Sequence, residues 1–270
     1  MTGQALTRLT AVLEEMESLA VAVSGGVDSM TLSVVAHEVL GNSSRMLHAV
    51  SPAVPADATE RVRRYALRYG WSLDVIDARE FDDPRYMANP VNRCFYCKTN
   101  LYDTMSARVD VVLVSGTNLD DLGDYRPGLI AARNHSVRHP FVEAEVDKQT
   151  VRAIARSKGL TDLAELPASP CLSSRVETGI AIDAGALLAI DKIEKLVRKS
   201  ITPEVVRLRI RDRGAVIELD APTLKALDEH RRDALGRDAG AVLAEAGVKR
   251  KVEFAEYRMG SAFVRPLGES

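Results

Sequence analysis

The hexapeptide Ser24-Gly25-Gly26-Val27-Asp28-Ser29 joins two apolar stretches of different period. Before it, Leu19-Ala20-Val21-Ala22-Val23 is a continuous apolar run of the length of a buried strand. After it, Met30, Leu32, Val34, Val35, Val39 and Leu40 recur at helical spacing. The stretch therefore reads as strand, glycine-rich turn, helix. Two adjacent glycines let the backbone turn tightly and let a ligand approach its amides. A helix that begins there presents free N–H groups and a partial positive charge. Ser24 and Ser29 add hydroxyls, and the whole is an anion site suited to phosphate. The plainer reading is an ordinary strand-to-helix turn that contains glycines.

The surrounding pattern repeats this alternation. Leu6, Leu9, Val12, Leu13 and Met16 share one helical face. Strands are expected over 46–50, 73–76 and 110–114, with helices over 55–69 and 147–158, the latter stopped by Gly159. Such a chain is α/β, a parallel sheet with crossover helices on both faces. Ligands in these sheets bind beyond the carboxyl ends of the strands, where both the hexapeptide and Ser115-Gly116-Thr117-Asn118 fall. Leu166-Pro167-Ala168-Ser169-Pro170 is a proline-punctuated linker. It divides the 270 residues into an α/β domain over 1–165 and a smaller α+β domain over 166–270. In the second, Leu187, Ile190, Ile193, Leu196 and Val197 mark a helix. Two strand-like runs flank Gly214, a charged helix is expected over 224–246, and 252–254 reads as a last strand.

Composition removes several function classes. Hydrophobic content of 46% and charged content of 27% are ordinary for a soluble globular protein. A net charge of −2 supplies no global basic field to draw in nucleic acid. No apolar run would span a bilayer, and residues 1–17 lack a signal-peptide core, so the expected setting is the cytoplasm without a membrane partner. The three cysteines, an odd count, argue against a disulfide framework.

Four further stretches carry chemistry. Residues 115–128 are dense in polar groups after a buried strand; their carboxylates, Asp121 among them, suit magnesium, and Arg126 suits phosphate oxygens. A plain acidic surface loop is the alternative. Cys94 and Cys97, three apart on an expected helix, share a face and can grip one metal, or form a redox pair, or be two unremarkable thiols. Pro170-Cys171-Leu172-Ser173-Ser174-Arg175 places a thiol beside two hydroxyls and a guanidinium, a phosphate-binding grouping, or merely a small residue with a helix cap. Arg207, Arg209 and Arg211 alternate and would line one face of a strand, where such rows are commonly solvated.

The hexapeptide is neither a Walker loop nor a dinucleotide fingerprint. It resembles the PP-loop of the ATP pyrophosphatases, whose fold is the adenine nucleotide α-hydrolase-like sheet. Those enzymes split ATP between its α- and β-phosphates and adenylate a substrate. Asp28 matches that family's acidic position, which helps hold Mg²⁺. Most of the chain is similar to the LarE family, ATP-dependent sulfur transferases that build the nickel-pincer cofactor of lactate racemase. The similarity rests on the PP-loop, Arg93-Cys94-Phe95-Tyr96-Cys97-Lys98, the Gly116–Gly128 string, and Val137-Arg138-His139-Pro140-Phe141. It continues through Pro170–Arg175 and Tyr257-Arg258-Met259-Gly260-Ser261. The chain departs from the family at His139, at Glu177-Thr178-Gly179 after the Ser-Ser-Arg, and at Val216, where an arginine is usual.

The resemblance implies ATP and Mg²⁺ as cofactors. Ser24, Gly25, Gly26, Asp28, Ser29, Gly116, Asn118, Asp121 and Arg126 would bind the nucleotide. It implies a pyridinium mononucleotide as acceptor, its phosphate held by Ser174, Arg175, Arg209 and Arg211 with Arg258, and a homo-oligomer. Sulfur is supplied in two ways within the family. One form gives up the sulfur of a single cysteine, here Cys171. The other holds a 4Fe–4S cluster on three cysteines, here Cys94, Cys97 and Cys171, and thiolates are the ligands such clusters require. The cluster form is the expectation, with Cys171 as sacrificial donor and a zinc site as alternatives. Two other functions fit parts of the sequence: another PP-loop adenylating enzyme, such as a tRNA thiolase or amide-forming synthetase, and a non-enzymatic nucleotide-binding module.

Overall fold

The computed structural model describes residues 2–123, 126–168 and 170–263. Asp124 and Tyr125 of the polar string, and Ser169 of the linker, lie outside the described residues. In chain order the elements are α1 (Thr2–Glu14), β1 (Leu19–Ala22), α2 (Val27–Leu40), β2 (Ser44–Val50), α3 (Ala56–Tyr69) and β3 (Ser72–Asp77). Then come α4 (Pro84–Met87), α5 (Arg93–Ser106), β4 (Val112–Ser115), α6 (Pro127–Asn134), α7 (Pro140–Glu143), α8 (Lys148–Ser157) and α9 (Thr161–Ala164). The last are α10 (Ala184–Ile201), β5 (Val206–Arg211), β6 (Gly214–Leu219), α11 (Ala221–Ala226), α12 (Glu229–Glu245) and β7 (Val252–Glu256).

The chain divides into two compact units, neither continuous in sequence. The first comprises Met1–Ser51, Ala56–Glu80 and Cys94–Ser169; the second comprises Pro52–Pro55, Phe81–Arg93 and Pro170–Ser270.

In the first unit the strands run β3-β2-β1-β4, all parallel. Alternation across β1 sends Leu19 and Val21 into one apolar cluster and Ala20 into another. The first cluster takes in α1, α2, α8 and α9; the second takes in α5 and α6. Helices therefore cover both faces, and each face has its own core. The chain moves outward from β1 through β2 to β3 and then returns to the other side of β1 for β4. That reversal opens the crevice where sheets of this class bind ligands. Ala22 is in register with Ser115, so the segments after β1 and β4 leave the sheet at the same level. The fourth strand, Val112–Ser115, lies slightly later than the strand expected over 110–114.

In the second unit β5 and β6 are antiparallel and β7 adds parallel to β6. Helix α10 packs on β5 and α12. One charged helix was expected over 224–246, but two form. Pro222 occupies the first turn of α11 under an Asp220 cap, and Asp228 caps α12 by accepting from Arg231 N at 2.8 Å. A second N-cap within the stretch is a helix start, so the segment breaks there.

Candidate functional site: the crevice beyond strands β1 and β4

The hexapeptide turns as its glycines demand. Gly25 has φ +82°, and a Cβ on it would meet the Ala58 carbonyl oxygen at 2.8 Å. A Cβ on Gly116 would lie 2.6 Å from the Ser29 amide nitrogen. The loop after β4 is thus pressed onto the first turn of α2 at a position that only glycine can fill. Inside the turn, the Ser29 hydroxyl accepts from Ser24 N (3.1 Å) and stands 3.0 Å from the Ser24 hydroxyl. Helix α2 begins at Val27, with Gly26 at its N-cap position and no side-chain cap. Its first-turn amides are the groups that an anion would satisfy.

The turn is braced from behind. His48 is fully buried on β2. Its Nδ1 lies 2.8 Å from the Val23 carbonyl and its Nε2 lies 2.9 Å from the Thr59 hydroxyl. A carbonyl only accepts, so Nδ1 carries the proton and the Thr59 hydroxyl donates to Nε2. Burial pushes the His48 pKa down, which favours this neutral form. Arg61 donates to the Gly25 carbonyl at 2.8 Å. None of these supports carried a motif in the sequence; a buried histidine followed by a threonine on the next helix is the only trace.

Asp28 lies in the first turn of α2. Asn118 Nδ2 donates to its Oδ1 at 3.2 Å, and the Lys148 ammonium is paired with its Oδ2. Asp121 Oδ2 accepts from Asn118 N at 3.1 Å, and Asp121 Oδ1 pairs with Arg126 at 2.6 Å. The structure therefore brings Ser24, Gly25, Gly26, Asp28, Ser29, Gly116 and Asn118 to one place, with Asp121 and Arg126 tied to it through Asn118. Beside them Ser115 Oγ lies 2.9 Å from His139 Nδ1, and burial lowers the His139 pKa. Lys148 was not legible: it is 120 residues from Asp28. Its one signal is that it follows Asp147, a helix cap.

The second unit holds the other candidates in a different state. Cys171 is exposed and precedes the short turn Leu172–Arg175. Arg175 is 1% exposed and grips Glu194 through Nε and Nη2 at 3.0 and 3.1 Å. Its Nη1 donates to the Pro170 carbonyl (2.7 Å) and to the Ser174 hydroxyl (3.1 Å). Arg209 is 4% exposed, with Nε on Glu218 at 3.0 Å and Nη1 on the Ser174 carbonyl at 2.9 Å. Arg211 reaches Glu218 at 2.7 Å and the Ser261 carbonyl at 3.0 Å. The alternating arginines do share a strand, but Arg209 is buried in an ion pair rather than solvated. Arg211, Glu218, Arg258 and Ser261 line an open cavity of about 570 Å³. Cys94 and Cys97 are half-buried on α5 of the first unit. Among the described residues, no three His, Cys, Asp or Glu side chains are grouped to hold a metal ion.

Among the described residues no helix is long and apolar enough to cross a membrane. No protein-family model matches the chain. It is 35% identical over 218 residues to the uncharacterized protein slr1717 of Synechocystis sp., covering 79% of this chain and 81% of that protein. The chain belongs to the slr1717 family. A further relative of this family member is the uncharacterized protein MJ0830 of Methanocaldococcus jannaschii, 26% identical over 79% of this chain and 82% of its own length. A distant homologue has a named activity. It is the pyridinium-3,5-bisthiocarboxylic acid mononucleotide synthase of Lactiplantibacillus plantarum, a LarE-type enzyme, 28% identical over 78% of each chain.

Proposed function

We propose that this chain is an ATP-dependent sulfur transferase of the LarE type, acting on a carboxylate of a pyridinium mononucleotide. The observation that carries the reading is the crevice itself: an uncapped α2 N-terminus, with Gly116 pressed on Ser29 and Asp28 beside it. Named activity in the distant homologue supports the choice of reaction. In that reaction an acceptor carboxylate oxygen attacks the α-phosphorus of ATP, and the α–β phosphoanhydride bond breaks. Pyrophosphate leaves and an acyl-adenylate forms. A sulfur nucleophile then attacks the acyl carbon, AMP leaves with the bonding electron pair, and a thiocarboxylate results. The chain's own contribution is to hold the phosphates with the α2 amides, Ser24 and Ser29, and to fix that loop through Gly116, His48 and Arg61.

Asp28 suits magnesium by donor chemistry, because that ion takes one or two carboxylates together with substrate phosphates. Bound there, it would neutralise charge on the pyrophosphate as it departs. For the acceptor phosphate, Arg211 and Arg258 at the 570 Å³ cavity are the contacts we favour. Ser174, Arg175 and Arg209 would form the frame behind them. Sulfur supply follows one of two routes. Cys94, Cys97 and Cys171 have the donor chemistry of a 4Fe–4S cluster, which would bring an extra sulfide. Exposure of the Cys171 thiol favours the alternative, in which it is itself consumed.

The test is product analysis on anaerobically purified protein with ATP, Mg²⁺ and pyridinium carboxylate mononucleotides. AMP, pyrophosphate and a thiocarboxylate are expected. ADP and phosphate would refute the reading. AMP without sulfur transfer would mark a different adenylating enzyme, and no AMP would leave a nucleotide-binding module. Iron content and loss of activity in Cys94→Ala decide for the cluster; colourless protein that loses H₂S from Cys171 after one turnover decides for sacrifice.

A further inference from the structure

Arg93 opens α5 and is 1% exposed, yet its guanidinium is only partly bonded. Nη1 donates to the Asn89 side-chain oxygen. That oxygen is fixed in place, because the Asn89 amide group donates to the carbonyls of Glu177 at 2.9 Å and Ile180 at 2.8 Å. The Phe263 ring centre lies 4.6 Å from Cζ. Nε and Nη2 are buried and reach no hydrogen-bond acceptor among the described residues. Arg175 and Arg209 of the same unit are the contrast. Both are buried, and both spend Nε on a carboxylate: Arg175 closes on Glu194 with Nε and Nη2, and Arg209 puts Nε on Glu218. A buried guanidinium with two unbonded N–H groups is unfavourable. Nε and Nη2 form an edge that meets a carboxylate with two parallel hydrogen bonds. Arg93 therefore keeps unbonded the edge that Arg175 has filled.

That edge belongs to the same unit as the cavity at Arg211 and Arg258. Ser261 lines the cavity and its carbonyl accepts from Arg211, and Phe263 stands two residues further on. Thr178 N donates to the Ala262 carbonyl, which ties the residue between them to the segment that Asn89 braces. Phe263 is 44% exposed, so it can yield towards solvent without unpacking the core. We infer that Arg93 is a specificity-determining residue: its Nε and Nη2 edge takes a carboxylate on the aromatic ring of the acceptor, and Phe263 turns aside to admit it. The inference rests on the mononucleotide reading of the function and names the group that tells an acid from an amide. A ring carboxylate suits the place on two counts. Its two oxygens match the edge, and its ring can stack on the guanidinium as Phe263 does. Pairing does not silence the group, since a carboxylate has about four lone-pair positions and the edge uses two. A carboxamide fails there, because its NH₂ would meet N–H with N–H.

Titration calorimetry on the full-length chain tests this with two probes, pyridinium-3-carboxylate mononucleotide and pyridinium-3-carboxamide mononucleotide, which differ only in the group at issue. The unsubstituted chain should bind the acid about tenfold or more tighter than the amide, as for hydrogen bonds to a charged group. In Arg93→Met the ratio should fall to within about twofold, through loss of acid affinity with the amide little changed. Arg93→Lys keeps the charge without the two-pronged edge and should give an intermediate ratio. Should Arg93→Met fail to fold, Arg93→Lys decides by the same ratio. Arg211→Ala should weaken both probes alike and leave the ratio as it was, because the phosphate is common to them. Equal binding of acid and amide by the unsubstituted chain, or an unchanged ratio in the Arg93 variants, would overturn this inference alone. Failure of both probes to bind would overturn the mononucleotide reading and this inference with it.

Discussion

The turn after β1 and the turn after Cys171 are both short polar segments, yet they are built on opposite plans. The first keeps its hydrogen-bonding groups open on one side and is braced on the other. Gly25 leans on Ala58, Arg61 holds the Gly25 carbonyl, and His48 holds the Val23 carbonyl. In the second the groups are consumed by the fold: the Arg175 guanidinium is closed on Glu194, and the Ser174 carbonyl accepts from Arg209 of β5, itself buried against Glu218. The lesson is that an arginine-rich motif is not by itself an anion site. A receptor for phosphate needs donors left over after the protein has satisfied its own acceptors.

Breaking the internal pairing should give the largest effect. Glu194→Ala leaves Arg175 buried without a counter-charge and removes the acceptor of Leu208 N at 3.1 Å. Stability should drop by about 3–5 kcal/mol in denaturant titration. Retention of stability would mean that Arg175 is not held as described. Next, Gly116→Ala must displace the first turn of α2. AMP formation should fall on the order of 100-fold, the size of effect expected from an ångström-scale misplacement, and melting of the second unit should be little changed. An alanine variant of normal activity would show that the two loops need not touch.

Smaller effects test the bracing. Thr59→Val removes the donor to His48 Nε2 and should cost about 1 kcal/mol of stability. His48 should also make stability depend on pH. Its pKa is held below the ordinary histidine value by burial, so the folded state binds fewer protons than the unfolded chain in that window. The contribution is fully present above the ordinary value and is lost as pH falls through the lowered one. Unfolding followed from pH 7.5 down to pH 5 should show this decline, and His48→Gln should flatten it. An unaltered slope in His48→Gln would place the pH dependence elsewhere.

What could be foreseen from sequence divides along the same lines. The strand–turn–helix at Ser24–Ser29 was legible because every cue lies between Leu19 and Leu40. The helix around Ile190 and the strands around Gly214 were legible through periodicity. Gly116 could be placed near the turn because both follow strands of one parallel sheet. The pairings were not legible, since they join residues far apart: Lys148 to Asp28 across 120 positions, Arg175 to Glu194 across 19, Arg209 to Ser174 across 35. No local pattern records which of several glutamates will neutralise a given arginine. Nor did composition show the helix break near Asp228, because the flanking residues keep helical propensity and only the cap decides.

The second unit draws on segments 52–55 and 81–93 as well as on residues from 170 onward. Leu172 N donates to the Ala53 carbonyl, Ser173 Oγ meets the Tyr86 hydroxyl, and Asn89 Nδ2 reaches the carbonyls of Glu177 and Ile180. During synthesis these early segments emerge from the ribosome about eighty or more residues before their partners, and at common elongation rates they wait several seconds for them. The early segments are consequently completed only after the cysteine-bearing turn has followed them out. A gene split at residue 170 would separate that turn from its own foundations, so the two halves of this protein cannot be shuffled as independent modules.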